Sequence, residues 1–264
     1  TVAVGNSILD NYTAEAGTYL LTDTSKLSNL TIADTAQAII DSASHFVGNL
    51  TIYKDADLTN STYNWSDLAN DADLSGITLV GGLNSTIENV GLNTTAGDDR
   101  SLTLKDGSYA ISDASGTAGI LGLSGWKYVY IQGDGTAVKL EGDLRVDYFY
   151  VGGGTTFDIS GHSPLVSTIY GNVFNDGTIT ALDGSTEADD RITITGNYTA
   201  GTGAVLKLDV DALNNLADML VIEGDVIGTT GLELKFVSQD ENSAPIQIVK
   251  AENDDETTAA DFVI

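Results

Sequence analysis

A short pattern recurs through the second half of this chain, and it constrains the fold more than any other feature. A β-type run reaches Gly-Asn or Gly-Asp, an apolar residue follows, and a turn then closes on a glycine. The pattern starts at Gly142, Gly171, Gly196 and Gly224, which are spaced by 29, 25 and 28 residues. A recurrence of roughly 20–50 residues is typical of a solenoid or another array of stacked units.

Each repeat is too short to bury its own apolar face, so we expect the repeats to stack around one continuous core. Apolar and polar residues alternate in the run from Ile192 to Thr195, which is typical of a strand with one face inside and one outside. Glycine suits tight corners between strands, and a neighbouring Asn or Asp bonds locally. The sequence therefore predicts an all-β fold, a right-handed parallel β-helix with an altered final rung as a cap.

Three pieces in a fixed order carry a family resemblance: Gly196-Asn197-Tyr198-Thr199, the run from Gly203 to Val210, and the run from Ala217 to Thr230. Together they resemble the membrane-proximal end of a bacterial autotransporter passenger, and the resemblance covers residues 165–264. It implies a β-helix that is exported through its own C-terminal outer-membrane barrel to the cell surface. It also implies that the last rungs are an autochaperone-like cap that folds first and templates the rungs before it. The chain stops without a barrel, so we expect the barrel to have been cleaved or to lie outside this sequence.

Composition restricts the class of partner. The chain has 38 acidic and 11 basic residues and a net charge of −27, which argues against nucleic acid and anionic membrane surfaces as partners. Two interpretations of the charge stay open, namely solubility and the binding of cations along the stack. The absence of cysteine excludes disulfides and thiolate metal sites. No apolar run reaches the roughly 18 residues of a membrane-spanning helix.

The first hundred residues differ from the rest, and we predict three segments: 1–100, 101–170 and 171–264. Within 1–100 we predict a small strand-helix module, with a helix that places Ala36, Ile39, Ile40 and Ala43 on one face. A second helical turn is predicted over 66–74. The alternative is a set of solenoid rungs with helical corners. A stretch rich in Gly, Asn and Thr over 81–100 is the best candidate for a boundary.

The most suggestive surface is aromatic. If Val129 and Ile131 point inward, then alternation places Tyr128 and Tyr130 on the outer face. The same reasoning places Tyr148 and Tyr150 outside, and Trp126 is predicted to align with the outer residues. On a solenoid, such residues from adjacent rungs stack into a ladder that can contact sugar rings or anchor a protein partner. The alternative is that these aromatic residues pack under a loop or against the N-terminal module.

The sequence indicates no catalytic site, no metal site and no cofactor. His45 and His162 are far apart and neither accompanies a nucleophile motif, and Gly5-Asn6-Ser7 lacks the aspartate of a Gly-Asp-Ser hydrolase. We therefore expect a non-enzymatic surface protein that acts in adhesion, aggregation or biofilm formation. Its expected partners are a protein or glycan of a host or neighbouring cell and its own barrel. Two alternatives stay open: a β-helical polysaccharide lyase or hydrolase, and a passive stalk for an adhesive head upstream.

Overall fold

The computed structural model describes residues 2–5, 8–15, 17–22, 26–33, 36–40, 45–53, 57–60, 74–82, 101–112, 121–123, 126–160, 166–184, 187–238, 245–253 and 262–263. Within these ranges every regular element is a β-strand. No helix that is long and apolar enough to cross a membrane occurs in them. The strands are short, and many of them are rich in the β-branched and aromatic residues that favour this conformation.

The strands before residue 100 are β1 (Val2–Gly5), β2 (Ile8–Ala14), β3 (Gly17–Thr22), β4 (Lys26–Ile32), β5 (Ala36–Ile40), β6 (His45–Tyr53), β7 (Asp57–Asn60) and β8 (Leu74–Val80). The next are β9 (Ser101–Lys105), β10 (Ser108–Ser112), β11 (Leu121–Gly122), β12 (Tyr128–Gln132), β13 (Ala137–Leu140), β14 (Leu144–Val151), β15 (Thr156–Asp158), β16 (Val166–Asn175) and β17 (Thr178–Thr180). The last are β18 (Arg191–Ile194), β19 (Tyr198–Ala200), β20 (Val205–Asp211), β21 (Leu216–Ala217), β22 (Met219–Ile222), β23 (Val226–Ile227), β24 (Thr230–Phe236), β25 (Val249–Ala251) and β26 (Phe262–Val263).

These strands coil into a parallel β-solenoid, as the repeat predicted. One sheet, which we call the long sheet, runs through the molecule in the order β2-β4-β6-β8-β9-β12-β14-β16-β18-β22-β25. Strands of a second sheet alternate with it along the chain, in the order β1-β3-β5-β7 at the N-terminal end. A third sheet, β11-β10-β13-β15-β17-β20-β24-β26, takes this place in the C-terminal part. The right-handed turn of the coil stays a prediction, as do the limits of the three segments.

The core lies between the long sheet and the third sheet, and it is built from inward columns of apolar side chains. In the long sheet, pairing aligns Ile77, Leu102, Val129 and Phe149 in consecutive strands, and all four are buried. The ring of Phe149 meets that of Phe157 from the opposite sheet at 4.6 Å between centroids. Burying one such side chain stabilises the fold by about 1.5–3 kcal/mol, so each added rung extends the core that the preceding rung began.

The predicted helix near the N-terminus is wrong over residues 36–40, because this segment forms β5. This strand pairs in parallel with β3 on one side and β7 on the other, so that Ala38 aligns with Tyr19 and with Leu58. Pairing on both sides satisfies the backbone groups that a helix would have satisfied internally, and it outweighs the helix propensity of the two alanines and the glutamine in the segment. Ala43 and most of the second predicted helical turn lie outside the described residues, and Leu74 at its end begins β8.

Three of the four recurring glycines form one column, as expected for equivalent corners of successive rungs. The N–H of Gly196 donates to the carbonyl of Gly171 at 3.0 Å, and the N–H of Gly224 donates to that of Gly196 at 3.2 Å. A Cβ on Gly196 would lie 2.5 Å from the Gly171 oxygen, so the close backbone approach requires glycine. Gly142 does not belong to this column, since β14 pairs with β16 so that Leu144 faces Ile169. The first predicted copy of the repeat is therefore out of register.

Candidate binding surface

Four tyrosines form a two-by-two array on the outer face of the long sheet, as the alternation of β12 and β14 predicted. Parallel pairing aligns Tyr128 with Tyr148 and Tyr130 with Tyr150. The inward neighbours of these residues, such as Val129 and Ile131, are fully buried, so the phenol rings must lie on the opposite face. We call Tyr128, Tyr130, Tyr148 and Tyr150 the tyrosine array.

The rings of the tyrosine array contact each other by their faces. Ring centroids are 5.3 Å apart between Tyr128 and Tyr148, with an interplanar angle of 15°. They are 4.6 Å apart between Tyr130 and Tyr150, with an angle of 14°. Stacking of this kind contributes about 0.5–1.5 kcal/mol for each pair. Faces in contact cannot receive a ligand, so the array offers solvent mainly its ring edges and hydroxyl groups.

Trp126 is not part of this surface, which corrects the predicted alignment. Its side chain is only 2% exposed and belongs to the hydrophobic core. Strand β12 begins at Tyr128, so the alternation that orients the tyrosines does not extend back to Trp126. Outside a strand, the large apolar indole follows the hydrophobic effect and lies inside.

Two further aromatic residues extend the surface beyond the predicted set. Phe174 aligns with Tyr150 in the next strand, and their ring centroids are 6.0 Å apart. Tyr170 lies under the guanidinium of Arg145, whose central carbon is 3.7 Å from the ring centroid. Each of the two is more than one-third exposed. The same alternation occurs in the sequence Tyr170-Gly171-Asn172-Val173-Phe174, but placing it beside the array requires the register between β14 and β16.

Cations and hydroxyl groups give the aromatic surface its electrostatic character. The ammonium of Lys127 lies 5.3 Å from the centroid of the Tyr128 ring, and attraction between a cation and a ring face holds such contacts together. Partial burial raises the pKa of Tyr150 above its ordinary value, and the neighbouring tyrosines act in the same direction. Its hydroxyl therefore stays protonated at neutral pH and can donate as well as accept a hydrogen bond.

A column of amides continues the line of Tyr128 and Tyr148 into the following rungs. Asn172 donates through Nδ2 to the carbonyl of Asp147 at 3.1 Å, and its Oδ1 accepts from the N–H of Asn197 at 2.9 Å. The Oδ1 of Asn197 accepts in turn from the N–H of Asp225 at 2.9 Å. These side chains hold the corners of successive rungs together, whereas the recurring Gly-Asn and Gly-Asp pairs had predicted only local hydrogen bonds.

An open groove of about 280 Å³ lies where the tyrosines end and the amides begin. It is lined by Tyr148, Phe149, Tyr150, Asn172, Val173, Phe174, Asn197 and Thr199. None of these eight side chains carries a charge, although the chain as a whole has a net charge of −27. The groove therefore combines aromatic walls with a polar, uncharged floor, which is the usual chemistry of a site for a small neutral ligand.

Buried carboxyl groups occur in the C-terminal rungs, away from this surface. Asp218 accepts from the backbone N–H of Asp190 at 3.1 Å and from that of Asp209 at 2.7 Å. Asp209 also pairs with the ammonium of Lys235 at 2.9 Å. Burial raises the pKa of Asp218 to about 7, and the charges of Asp190 and Asp209 add to the effect of burial.

The buried acids do not form a metal centre. Across the described ranges, no group of three or more His, Asp or Glu side chains is placed to hold a metal ion. Of the other candidate residues, His45 lies in β6, whereas Asn6, Ser7 and His162 lie outside the described residues.

Comparison with family models, with curated proteins and with solved structures found no match to this chain.

Proposed function

We propose that this chain is a non-enzymatic binding segment of a bacterial surface protein of the autotransporter passenger type. Its role is adhesion, aggregation or biofilm formation at the cell surface, through contact with a protein or glycan of a host or neighbouring cell. One observation carries the proposal. Aromatic residues that could have packed in the core are instead stacked on the outer face of the long sheet, where a partner can contact them.

The position of the surface supports a binding role. Side chains on paired strands are held by the sheet itself, so the array loses little conformational freedom when a partner binds. Tyrosine also supplies a large contact area and a hydroxyl for hydrogen bonding. A net charge of −27 disfavours nucleic acids and anionic membranes, which leaves neutral or cationic surfaces as the partners that this chain can approach without repulsion.

The experiment measures binding of the immobilised chain to host cells, to bacterial cells and to a glycan panel. The test variant replaces the four tyrosines of the array with serine and leaves the buried Trp126 unchanged. The matched control is Leu213→Ser, Leu216→Ser and Phe236→Ser, which removes three exposed apolar side chains elsewhere on the surface. We expect binding to be lost in the test variant and kept in the control, with both circular dichroism spectra unchanged. No binding by the original chain would favour the passive stalk.

We further propose that the C-terminal rungs template the folding of the rungs before them. A buried polar chain fixes their register: Asn175 donates to the hydroxyl of Tyr198 at 3.1 Å, and this hydroxyl lies 3.0 Å from Thr230 Oγ1. Any other register would leave these buried groups without partners, which costs about 1–3 kcal/mol each. A segment with a single favoured register is suited to guide the stacking of its neighbours.

Fragments of the chain test the folding role. A fragment of residues 1–170 ends inside β16, so a second fragment, 1–184, which ends just after β17, is compared with it. We expect neither fragment to unfold cooperatively in urea, whereas the full chain does. A cooperative transition in the 1–170 fragment or in the 1–184 fragment would show that the N-terminal rungs fold without the C-terminal ones.

A further inference from the structure

We propose that the groove beside Tyr148 and Phe174 binds one pyranose ring of an uncharged polysaccharide, an assignment that rests on the proposed binding function and names its ligand. At the groove, one face of the Tyr148 ring is not covered by another tyrosine of its column. Tyr148 stacks on Tyr128 on one side, at 5.3 Å. On the other side the column continues with Asn172.

The groove exists because the column of outward side chains passes from Tyr148 in one strand to Asn172 in the next. An asparagine side chain is several atoms shorter than a tyrosine, so Asn172 leaves the outer part of the next ring face uncovered. The groove of about 280 Å³ occupies this step, with Phe174 on its flank. The C–H groups on one face of a pyranose can pack on an aromatic ring in this way, while the hydroxyl groups around its edge need polar partners.

Those polar partners are the amides on the groove floor. Asn172 uses one N–H to bind the carbonyl of Asp147 and its Oδ1 to accept from Asn197. Asn197 uses its Oδ1 to accept from Asp225. These bonds hold the Asn172 amide at both its nitrogen and its oxygen, and they hold the Asn197 amide at its oxygen. Among the described residues they leave one N–H of Asn172 and both of Asn197 without a partner. The Thr199 hydroxyl adds a group that can both donate and accept.

Charge and size narrow the class of sugar. All eight lining side chains are uncharged, and the chain carries a net charge of −27, so a uronic acid or sulfated sugar would be repelled without gaining an ion pair in the groove. The volume lies just below the roughly 300–1,000 Å³ of sites for drug-sized ligands. One neutral sugar ring is therefore the ligand that fits both properties.

A polymer suits this site better than a free sugar. The hydroxyl groups of the tyrosine array continue from one wall of the groove, and they offer further hydrogen bonds to neighbouring units of the same chain. One open site for one ring is weak by itself, but a polymer in the gel presents many identical units and so raises the concentration of ligand around that site. The repeating polymer therefore supplies the measurable signal.

Affinity electrophoresis of the full chain tests the assignment. Native gels contain dextran, mannan, a β-1,3-glucan or a galactan, and alginate serves as the acidic comparison. The variants are Phe174→Ala and Tyr148→Ala, which remove two walls of the groove. The matched control is Phe236→Ala, because it removes an exposed aromatic side chain that belongs neither to the groove nor to the tyrosine array. Circular dichroism establishes that each variant is folded.

We expect at least one neutral polysaccharide to retard the chain and alginate to have no effect. Retardation should fall at least fivefold in Phe174→Ala and Tyr148→Ala and should change less than twofold in Phe236→Ala. Equal retardation of all three variants, or stronger retardation by alginate, would overturn the proposed site. If no neutral polysaccharide acts while the four-serine variant still loses cell binding, the saccharide is wrong and the array binds a protein. If no neutral polysaccharide retards the chain and the four-serine variant binds cells as the original chain does, both the sugar site and the proposed binding function of the array are wrong.

Discussion

One line of outward positions crosses the C-terminal part of the solenoid, and its two halves are built differently. In the first half Tyr128 and Tyr148 stack by their ring faces. In the second half Asn172, Asn197 and Asp225 are joined through side-chain and backbone hydrogen bonds. The strands are parallel throughout and the spacing between rungs is that of one sheet, so the backbone alone does not explain the change.

The amide half stabilises the solenoid by bonding to its backbone, whereas the aromatic half presents side chains to the surroundings. Each amide satisfies a backbone N–H of the next corner, so removing it leaves the main chain without a partner there. The tyrosine rings contact each other and bind no backbone group of the next rung in the described residues. We therefore expect changes in the amide half to reduce stability, and changes in the aromatic half to reduce binding while stability changes little.

The largest loss of stability is expected from a substitution in the glycine column beside the amides. A Cβ at Gly171 would lie 1.8 Å from the carbonyl oxygen of Val146, which belongs to the backbone of the preceding rung. Gly171→Ala must therefore move one rung away from the other, and we expect a loss on the order of 3 kcal/mol in the free energy of unfolding. Urea denaturation followed by circular dichroism measures it. Gly135→Ala is the control, because no atom lies within 4 Å of a Cβ there. Its positive φ gives it a backbone cost without a clash.

Removing the amides themselves should have the next largest effect. The double variant Asn172→Ala and Asn197→Ala loses three hydrogen bonds between rungs. Because these bonds lie at exposed corners, water replaces part of each, and we expect a loss of about 2 kcal/mol in the free energy of unfolding. A urea midpoint equal to that of the original chain would mean that these amide hydrogen bonds do not stabilise the solenoid.

Asp218 extends the comparison to the interior. There a carboxyl group, in place of an amide, accepts hydrogen bonds from the backbone N–H groups of Asp190 and Asp209. Its ordinary pKa of 3.8 is raised to about 7 in the folded chain. Folding therefore takes up a proton at any pH between 3.8 and about 7. Its contribution to stability is therefore greatest at low pH, falls as the pH rises through this window, and levels off above about 7. The facing charged groups are Asp190, Asp209 and, through Asp209, Lys235.

The Asp218→Asn variant isolates this contribution from that of the other acidic residues. An amide can accept only one of the two backbone hydrogen bonds that the carboxyl group accepts, so we expect a loss of about 1 kcal/mol at pH 5. At pH 8 the original chain carries the cost of a buried charge, which exceeds the lost hydrogen bond, so the difference between the two urea midpoints should change sign. Midpoints that stay the same distance apart at both pH values would contradict the assignment.

The smallest effect on stability is expected in the aromatic half. Tyr150→Ala removes the stacking on Tyr130 and the contact with Phe174, and we expect a loss of about 1 kcal/mol. Tyr150→Phe keeps the ring and should be close to neutral in urea denaturation while it weakens binding to cells, because only the hydroxyl is lost. A loss of stability in Tyr150→Ala that exceeds that of the double asparagine variant would erase the distinction between the two halves.

The sequence was sufficient to predict what depends on neighbouring residues along one strand. Alternation over 128–131 and 148–151 placed the tyrosines outside because successive side chains of a strand point to opposite faces. The recurring glycines at 171, 196 and 224 predicted stacked corners through the glycine preference of tight turns, whereas in the structure Gly196 is required by close backbone approach. Local reasoning failed where a segment had partners on both sides, as at Ala36–Ile40, or where a residue lay outside a strand, as at Trp126.

The amino-acid sequence by itself therefore determined the class of fold and the outward direction of the tyrosine array, since both follow from a period of two and from the spacing of turns. Only the tertiary structure decided which residues are neighbours across rungs. The groove exists because Asn172 follows Tyr148 in the same column, and the buried carboxyl group of Asp218 meets Asp190 and Asp209 across different strands. The register that brings such residues together depends on the length of every intervening turn and on the packing of the whole core, and no short stretch of sequence contains that information.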